Sequence, residues 1–203
     1  MYIPELYKNE NIQEIEDFLH KNSFAILINQ TNGKPWGTHT PLFLEKKENQ
    51  HYLSGHISRE NPQSLSLQNN EEVLAIFNGP HTYISSSWYD HENVPTWNYI
   101  AVHVYGKIRI LNYEETVLSL KKLVDKYEHK QEKPIRIEDL SEKTMRQAKG
   151  ILAFEIEITT LEAKKKLSQN RDEKNYLNII NHLEKSTDTN DKVIAAEMRK
   201  NKQ

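Results

Sequence analysis

The sequence predicts an α+β domain, with a mainly antiparallel sheet of six or seven strands and helices at its periphery and C-terminus. Short runs of apolar, aromatic and β-branched residues recur along the chain, as strands require. Asn32-Gly33 separates two such runs, and both residues tolerate the positive φ of a tight hairpin turn. Other segments begin with a capping residue and continue with apolar residues at helical spacing.

Length and composition favour an ordinary globular protein. The chain has 203 residues, of which 36% are hydrophobic and 28% charged, and this balance is compatible with a folded core. A formal net charge of −2 gives no support for a broad surface that grips DNA. Cysteine is absent, which excludes disulfides, thiolate metal sites and a cysteine nucleophile.

No segment suggests export or membrane insertion. The first residues lack the apolar core of a secretory signal. The longest apolar run, 24–28, is far shorter than the roughly 20 residues of a membrane helix. We therefore expect a soluble, cytoplasmic protein.

The first half of the chain is predicted to form a helix followed by a meander of strands. Asn11 caps a helix from Ile12 to Lys21, with Glu14 in the reciprocal position of a capping box. A shorter helix starts with Asn61 as its cap and Pro62 at its first position, and ends near residue 70. The predicted strands are 23–29, 34–44, 51–57 and 72–77.

The second half is predicted to contain an aromatic hairpin, a long helix, a final strand and two terminal helices. The hairpin strands are expected at 81–89 and 96–105, with 107–111 closing the sheet. Asn112 caps the long helix, in which Glu115 completes a capping box. Its buried stripe is predicted to be Leu118, Leu120, Leu123, Val124 and Tyr127. Short helical turns follow at 137–150, then a strand at 151–159, a basic linker at 164–171, and helices at 172–185 and 190–200.

Alternation in the last strand predicts which of its residues are buried. Leu152, Phe154, Ile156 and Ile158 should face the core, and Glu155 and Glu157 should face outward. The resulting organisation is a sheet domain over 1–163, with the linker and helices of 164–203 packed on the same domain.

The stretch from Gly79 to Gly106 concentrates aromatic residues. Alternation in its second strand puts Ile100, Val102 and Val104 on an aliphatic face, together with Asn98. The opposite face combines flat rings with hydrogen-bonding edges, which is typical of either a subunit interface or a pocket for a planar ligand. This second face carries Trp97, Tyr99, Ala101, His103 and Tyr105.

Residues 79–89 (GPHTYISSSWY) and 94–106 (VPTWNYIAVHVYG) resemble the PaiB family of transcriptional regulators, within the FMN-binding split-barrel proteins. MYIP at the N-terminus, GHISRENP at 55–62 and KLSQNR at 166–171 agree with this resemblance, which spans nearly the whole chain. Two positions depart from the family pattern: Ser86 replaces a usual proline and Tyr7 a usual phenylalanine. The resemblance implies a split barrel, FMN as cofactor, a homodimer, and negative regulation of transcription through DNA or a regulatory partner protein.

Two other functions stay open at this point. Relatives with the same fold include flavin-dependent oxidoreductases, and fold similarity does not transfer activity. A haem-binding role rests only on histidines in predicted strands: His39, His56, His81 and His103. No pair has the short spacing of a zinc site, so no metal site is predicted, and no catalytic residue is assigned.

The first candidate site is for the flavin phosphate. Arg59 offers a fork of donors, Ser58 a hydroxyl, and the helix capped by Asn61 its unpaired N–H groups. The resemblance places the phosphate on this segment, which also includes His56. Alternatively, Arg59 is a solvated loop charge and Asn61 only a cap.

Three further groups are candidates for contact with the flavin or its surroundings. The resemblance places the strand that holds Thr38, His39 and Thr40 beside the flavin ring, with an ordinary strand as the alternative. Trp97 can stack on a flavin and Asn98 can read its polar edge, with dimer packing as the alternative. The third group, in the KLSQNR segment, suits either a subunit interface or a capped linker: Ser168, Gln169 and Asn170.

Overall fold

The computed structural model describes residues 1–201, and these form eight strands and five α-helices. The strands are β1 (Lys8–Asn9), β2 (Phe24–Thr31), β3 (Lys34–Pro41), β4 (Phe43–Lys47), β5 (Gln50–Ser58), β6 (Glu72–Ile84), β7 (Thr96–Ile110) and β8 (Ile151–Lys166). The helices are α1 (Ile12–Lys21), α2 (Tyr113–Glu128), α3 (Glu142–Met145), α4 (Glu173–Lys185) and α5 (Thr189–Lys200). Short 3-10 turns lie at Glu5–Tyr7, Pro62–Leu65, Ser86–Trp88, Ile137–Asp139 and Arg146–Gly150.

The strands form one antiparallel sheet, which confirms the predicted α+β class. Its order is β3-β2-β6-β7-β8-β5-β4, and β1 pairs with β8 beside this path. Seven strands lie on the path, as predicted, and the two-residue strand β1 adds an eighth that no apolar run announced.

The first hairpin forms where the turn residues predict it. Asn32 and Gly33 have φ values of 53° and 73°, in the left-handed region that asparagine and glycine tolerate best. The turn sets the register of β2 against β3, in which Thr31 pairs with Lys34 and Leu27 with Thr38.

Helix α1 begins and ends as predicted, but only half of its capping box forms. Asn11 Oδ1 accepts the backbone N–H of Glu14 at 3.2 Å. Asn11's own N–H donates to Asn9 Oδ1 at 3.1 Å, so it does not need the Glu14 carboxylate. That carboxylate instead accepts hydrogen bonds from Asn9 and Lys165, and the predicted reciprocal bond is wrong.

Several strand limits differ from the predictions. The predicted strand 34–44 is two strands, β3 and β4, with Leu42 between them. Residues 72–84 form the single strand β6, which continues past Pro80. Strand β8 extends to Lys166, so the first three residues of the predicted basic linker are strand.

The extension of β8 depends on partners from the N-terminal residues of the chain. Lys164 and Lys165 are buried, and each ammonium group finds partners: Lys164 donates to Tyr2 O at 3.2 Å, and Lys165 pairs with Glu14. Buried charges are tolerated when they are paired in this way. The lysines therefore behave as strand residues, which their polarity did not indicate.

Strands β7 and β8 approach each other closely at Gly106. A Cβ added to this glycine would lie 2.3 Å from Glu157 O and 2.6 Å from Ile156 Cγ2. No side chain fits there, and the absence of one lets the two backbones approach.

The chain divides into two compact units that interleave along the sequence. One, here called the helical unit, comprises residues 1–18, 78–103 and the described residues from Glu162 onward. The other, the barrel unit, comprises 19–77 and 104–161. The core of the helical unit contains Ile84, Tyr89, Ile100, Leu167, Tyr176, Ile179, Ile180, Leu183, Ile194, Ala195 and Met198. The barrel unit buries Leu19, Leu27, Leu42, Leu53, Phe77, Ile108, Phe154 and Ile156 completely.

Helix α2 does not bury its predicted stripe. Leu118 is 59% exposed and Tyr127 is also exposed, and Thr116 is the buried residue of this helix. Helix α2 also makes an ion pair with strand β4, in which Lys122 Nζ lies 2.5 Å from the carboxylate of Glu45. The other three residues of the predicted stripe, Leu120, Leu123 and Val124, are only partly buried.

Glu155, predicted to face outward, is only 8% exposed. Its carboxylate pairs with Lys47 and accepts a hydrogen bond from Arg109 Nη2 at 3.4 Å. The neighbouring residues Phe154 and Ile156 do face the core, as alternation predicts. Alternation therefore identified the core-facing residues of β8 correctly. Glu155 lies on the opposite face, as predicted, and is buried there by its ion pairs.

Candidate functional site

In the barrel unit, the segment predicted to hold a phosphate lies where β5 ends and the Pro62–Leu65 turn begins. Asn61 Oδ1 accepts the backbone N–H of Gln63 at 3.0 Å, so Asn61 caps the turn as predicted. Its Nδ2 donates to Thr38 Oγ1 at 2.8 Å, which ties the turn to β3.

The turn itself is not the predicted helix. It is a 3-10 turn of four residues, and its first N–H groups are already used. Pro62 has none, Gln63 N–H bonds to the cap, and Ser64 N–H donates to Asn61 O at 2.8 Å. The prediction that a helix N-terminus offers unpaired N–H groups here is therefore wrong.

Arg59 and Ser58 still offer donors to a ligand. Arg59 Nε donates to Lys149 O at 3.1 Å and its backbone N–H to Gly150 O at 2.9 Å, which anchors this exposed residue. No described residue accepts a hydrogen bond from its two Nη groups. Ser58 Oγ accepts the N–H of Glu60 at 3.2 Å and keeps its own proton to donate. This donor set fits a phosphate.

Gln63 supports this segment from behind and escaped the sequence analysis. It is completely buried, and its Nε2 donates to Leu27 O at 3.2 Å and to Asn29 Oδ1 at 3.0 Å. Its Oε1 is buried without a partner among the described residues. A glutamine in a polar loop normally lies on the surface, so no sequence signal pointed to this role.

Strand β3 separates the three residues predicted to act together. Thr38 and Thr40 pair with the buried residues Leu27 and Ala25 and share the inner face. Thr40 Oγ1 donates to His56 O at 2.7 Å. His39 points to the opposite face, where it is exposed and its ring stacks on Phe24 at a centroid distance of 6.0 Å.

His56 is the half-buried residue of this group. Burial lowers the pKa of its imidazole below the ordinary value of 6.5, because the apolar surroundings disfavour the charged ring. At neutral pH it is therefore an uncharged hydrogen-bonding group and supplies no positive charge for a phosphate.

In the helical unit, Trp97 and Asn98 point to opposite faces of β7. Trp97 is 52% exposed, and its ring lies 6.0 Å from His81 and 6.1 Å from Tyr83. Asn98 is completely buried, and its Oδ1 accepts a hydrogen bond from Ser168 Oγ at 3.0 Å. The alternation agrees with the predicted faces.

The 167–170 turn after β8 uses two of its three candidate residues for its own structure. Ser168 is buried and has a φ of 62°. The Gln169 side chain accepts the N–H of Leu167 at 2.7 Å and donates to Lys165 O at 2.6 Å. Asn170 is exposed and has no described side-chain partner. Trp97 and Asn170 are thus the accessible candidates in this unit, and ligand binding by any of them stays a prediction.

Other classes of site find little support in the part of the chain that the structure describes. Between residues 1 and 201, no three histidine, aspartate or glutamate side chains converge as metal ligands would. None of the described helices is both long and apolar enough to cross a membrane.

Comparison with known proteins gives one family match over most of the chain. The model of the family described as "Putative FMN-binding domain" matches residues 1–160. A curated relative is the protease synthase and sporulation protein PAI 2 of Bacillus subtilis (strain 168). It is 43% identical over 196 residues, which cover 96% of this chain and 95% of the relative.

Two solved structures resemble the fold. The FAD and heme binding protein of Mycobacterium smegmatis matches with a TM-score of 0.62 and 14% identity, over 84% of this chain and 78% of that one. The flavocytochrome Anf3 of Azotobacter vinelandii matches with a TM-score of 0.59 and 16% identity, over 84% and 75%. At these identities the likeness concerns the fold alone.

Proposed function

Because this chain belongs to the PaiB family of FMN-binding split-barrel proteins, we propose that it is a negative transcriptional regulator whose activity depends on FMN. The family description supports FMN as its cofactor. When bound, FMN supplies a redox-active ring and a phosphate dianion.

The observation that carries this proposal is the set of unused donors at the end of β5. The Nη groups of Arg59 and the Ser58 hydroxyl have no described acceptor, and Arg59 is anchored through its Nε and backbone N–H. An anchored guanidinium is a suitable partner for a phosphate because less side-chain freedom is lost on binding. Thr38 and Asn61, joined by a hydrogen bond, hold the segment in place.

The regulatory part of the proposal rests on the relative. Its printed name connects it with protease synthesis and sporulation, and the 43% identity extends over almost the whole of both chains. We infer that this chain controls genes of the same classes, either by contact with DNA or through a partner protein. The mixed charges of α4 and α5, such as Glu184 paired with Arg199, favour a partner protein.

We also propose that the chain acts as a homodimer. The outer face of β7 carries exposed aromatic side chains, among them Trp97 and, on the adjacent strand, Tyr83. A two-fold dimer needs one self-complementary patch, and aromatic residues are enriched at the centres of such patches.

A deletion and complementation experiment tests the regulatory function. Transcripts of protease genes are measured in the host, in a strain lacking this gene, and after complementation with wild type, Arg59→Ala or Arg146→Ala. Arg146 is an exposed arginine of the same unit and serves as the matched control. We expect deletion to raise the transcripts, and wild type and Arg146→Ala to restore repression, whereas Arg59→Ala does not.

Two results would contradict the proposal in different ways. Unchanged transcripts after deletion would reject the regulatory role. Full complementation by Arg59→Ala, with FMN binding lost, would show regulation that does not need the flavin. The purified protein separates the alternatives: turnover of a pyridine nucleotide indicates an oxidoreductase, and a Soret band indicates haem.

A further inference from the structure

Arg171 in the helical unit has a side chain that no described residue uses fully. Its Nε is buried and has no hydrogen-bond partner between residues 1 and 201. One face of the guanidinium is covered by the Tyr89 ring, whose centroid lies 4.6 Å from Cζ. Buried N–H groups without partners are rare in folded proteins, and a charged one is the least tolerable.

Tyr89 adds a second polar group of the same kind. It is 8% exposed, and its hydroxyl is buried without a partner among the described residues. The nearby acidic residues do not fill the gap. Asp90 pairs with Lys174 at 2.8 Å, and Asp172 accepts the N–H of Asn175 at 3.0 Å as the cap of α4.

Hydrogen bonds hold the 167–170 turn, which directly precedes Arg171, at both of its ends. Arg171 N–H donates to Ser168 O at 3.0 Å, and Ser168 is held by the buried amide of Asn98. Lys166, at the other end of the turn, donates to Thr96 Oγ1 and to Trp97 O. Its pKa is lowered first by burial and then by the charges of Lys164 and Arg171, which reflects a locally positive field.

A cavity of about 300 Å³ opens beside the guanidinium. The residues that line it are Gln169, Arg171, Glu173, Tyr176 and Asn201.

We propose that this cavity binds a small ligand through an oxyanion group, a carboxylate or a phosphate, with Arg171 as its anchor. The guanidinium N–H groups of Arg171 are donors that an oxyanion satisfies with charge-assisted hydrogen bonds. The site lies in the helical unit, whereas the Arg59 segment lies in the barrel unit, so this is a second binding site.

The Nε–H resonance of Arg171 reports on the site directly. It is assigned by its loss in Arg171→Lys and followed by ¹H–¹⁵N spectroscopy at constant ionic strength, first with inorganic phosphate and then with acetate. We expect a saturable shift with at least one of the two anions. A shift with phosphate alone identifies a phosphate ligand, and a shift with acetate alone a carboxylate. If neither anion moves the resonance, the proposal is overturned.

Calorimetry with matched variants provides the second measurement. Arg171→Lys should weaken binding of the effective anion at least about tenfold, since a point charge cannot reproduce the fork. Arg146→Lys, at an exposed arginine of the barrel unit, should leave it unchanged. Unchanged affinity in Arg171→Lys would show that the anion binds elsewhere and reject the proposal.

A titration in the presence of saturating FMN separates this site from the flavin proposal. An unchanged anion shift supports two independent sites. Displacement of the anion by FMN, with Arg59→Ala still binding FMN fully, would move the flavin phosphate to Arg171. In that case the Arg59 assignment fails, while the oxyanion site at Arg171 stands.

Discussion

Arg59, Arg109 and Arg171 place the same side chain in three different surroundings. Arg109 donates to Glu115 at 2.8 Å, and this bond raises the pKa of its guanidinium and consumes its charge within the fold. Arg59 is anchored through Nε and keeps its Nη groups for a ligand. Arg171 keeps a buried Nε for which no described residue is a partner. The partners available, and not the residue type, decide which arginine is structural.

The first prediction concerns Arg59→Ala. A charge-assisted contact to a phosphate contributes about 1.5–3 kcal/mol, so FMN affinity should fall about tenfold to a hundredfold. Arg59→Lys should recover only part of the affinity, because lysine lacks the planar fork. Fluorescence titration of FMN measures the change.

Riboflavin and Arg146→Ala are the controls for this prediction. Riboflavin lacks the phosphate and should bind wild type and Arg59→Ala almost equally, and Arg146→Ala should bind FMN as wild type does. Unchanged FMN affinity in a folded Arg59→Ala protein would place the phosphate elsewhere. If wild type binds neither ligand, the flavin assignment fails.

The second prediction follows from the lowered pKa of His56. Well above pH 6.5 the imidazole is neutral in both folded and unfolded chains, and it adds no pH dependence. As the pH falls through 6.5, the unfolded chain takes up a proton that the folded chain resists, so the free energy of unfolding decreases. His56→Gln should flatten this loss between pH 7 and pH 5, as measured by denaturant unfolding. An equally steep loss in His56→Gln would contradict the burial argument.

At the scale of the element, Ser168 in the 167–170 turn combines an unfavourable backbone conformation with a favourable side-chain hydrogen bond. Ser168 adopts a left-handed φ of 62°, which is unfavourable for serine, while its Oγ satisfies the buried Asn98. Ser168→Ala should lower the free energy of unfolding by about 1–3 kcal/mol, since Asn98 Oδ1 loses a buried donor. Ser168→Gly loses the same bond but removes the backbone strain, and should be more stable than Ser168→Ala by about 1 kcal/mol. Chemical denaturation of the pair measures the difference, and equal stabilities would refute the strain.

The start of α2 provides a second test at this scale. Asn112 Oδ1 accepts the N–H of Glu115 at 3.0 Å, and Glu115 Oε2 accepts the N–H of Asn112 at 2.9 Å. Asn112→Ala should lower the free energy of unfolding by about 1 kcal/mol. Asn112→Asp should keep most of the wild-type stability, because aspartate is also a good N-cap residue. Thermal and urea unfolding check both values. A neutral Asn112→Ala would indicate that the ion pairs of α2, and not its cap, hold the helix start.

At the scale of the whole molecule, the proposed dimer predicts a mass. Light scattering at micromolar concentration should give twice the chain mass of 23.9 kDa. Trp97→Asp should shift the population toward monomer, because it puts a charge into an aromatic interface. Leu65→Asp, at a position on the Pro62–Leu65 turn that is 85% exposed, should remain dimeric. A monomeric wild type would reject the dimer.

The sequence predicted the parts of the fold that depend on local chemistry. Caps at Asn11, Asn61 and Asn112 and the turn at Asn32-Gly33 were found because each satisfies its own backbone. The predictions that failed depend on distant partners. Glu155 is buried because Lys47 and Arg109 come to it from other strands, and no spacing along one strand contains that information.

The candidate site divides in the same way. The resemblance selected the segment of Arg59 and Asn61, and alternation separated the faces of Trp97 and Asn98 correctly. Neither the resemblance nor the alternation could reveal that Asn98 Oδ1 already accepts a hydrogen bond from Ser168. Gln63 and Tyr89 were missed because their importance comes from buried atoms without partners, which only coordinates can show.

The close approach of β7 and β8 at Gly106 also bears on how the gene can drift. A side chain at this position would collide with the backbone of Glu157, and a backbone carbonyl cannot move aside as a flexible side chain can. We expect the first two bases of this codon to be under purifying selection in every descendant that still folds, while the third base drifts freely. A saturation library screened for folded protein should retain only glycine codons at position 106, whereas Gly150, with open space around it, should accept other residues.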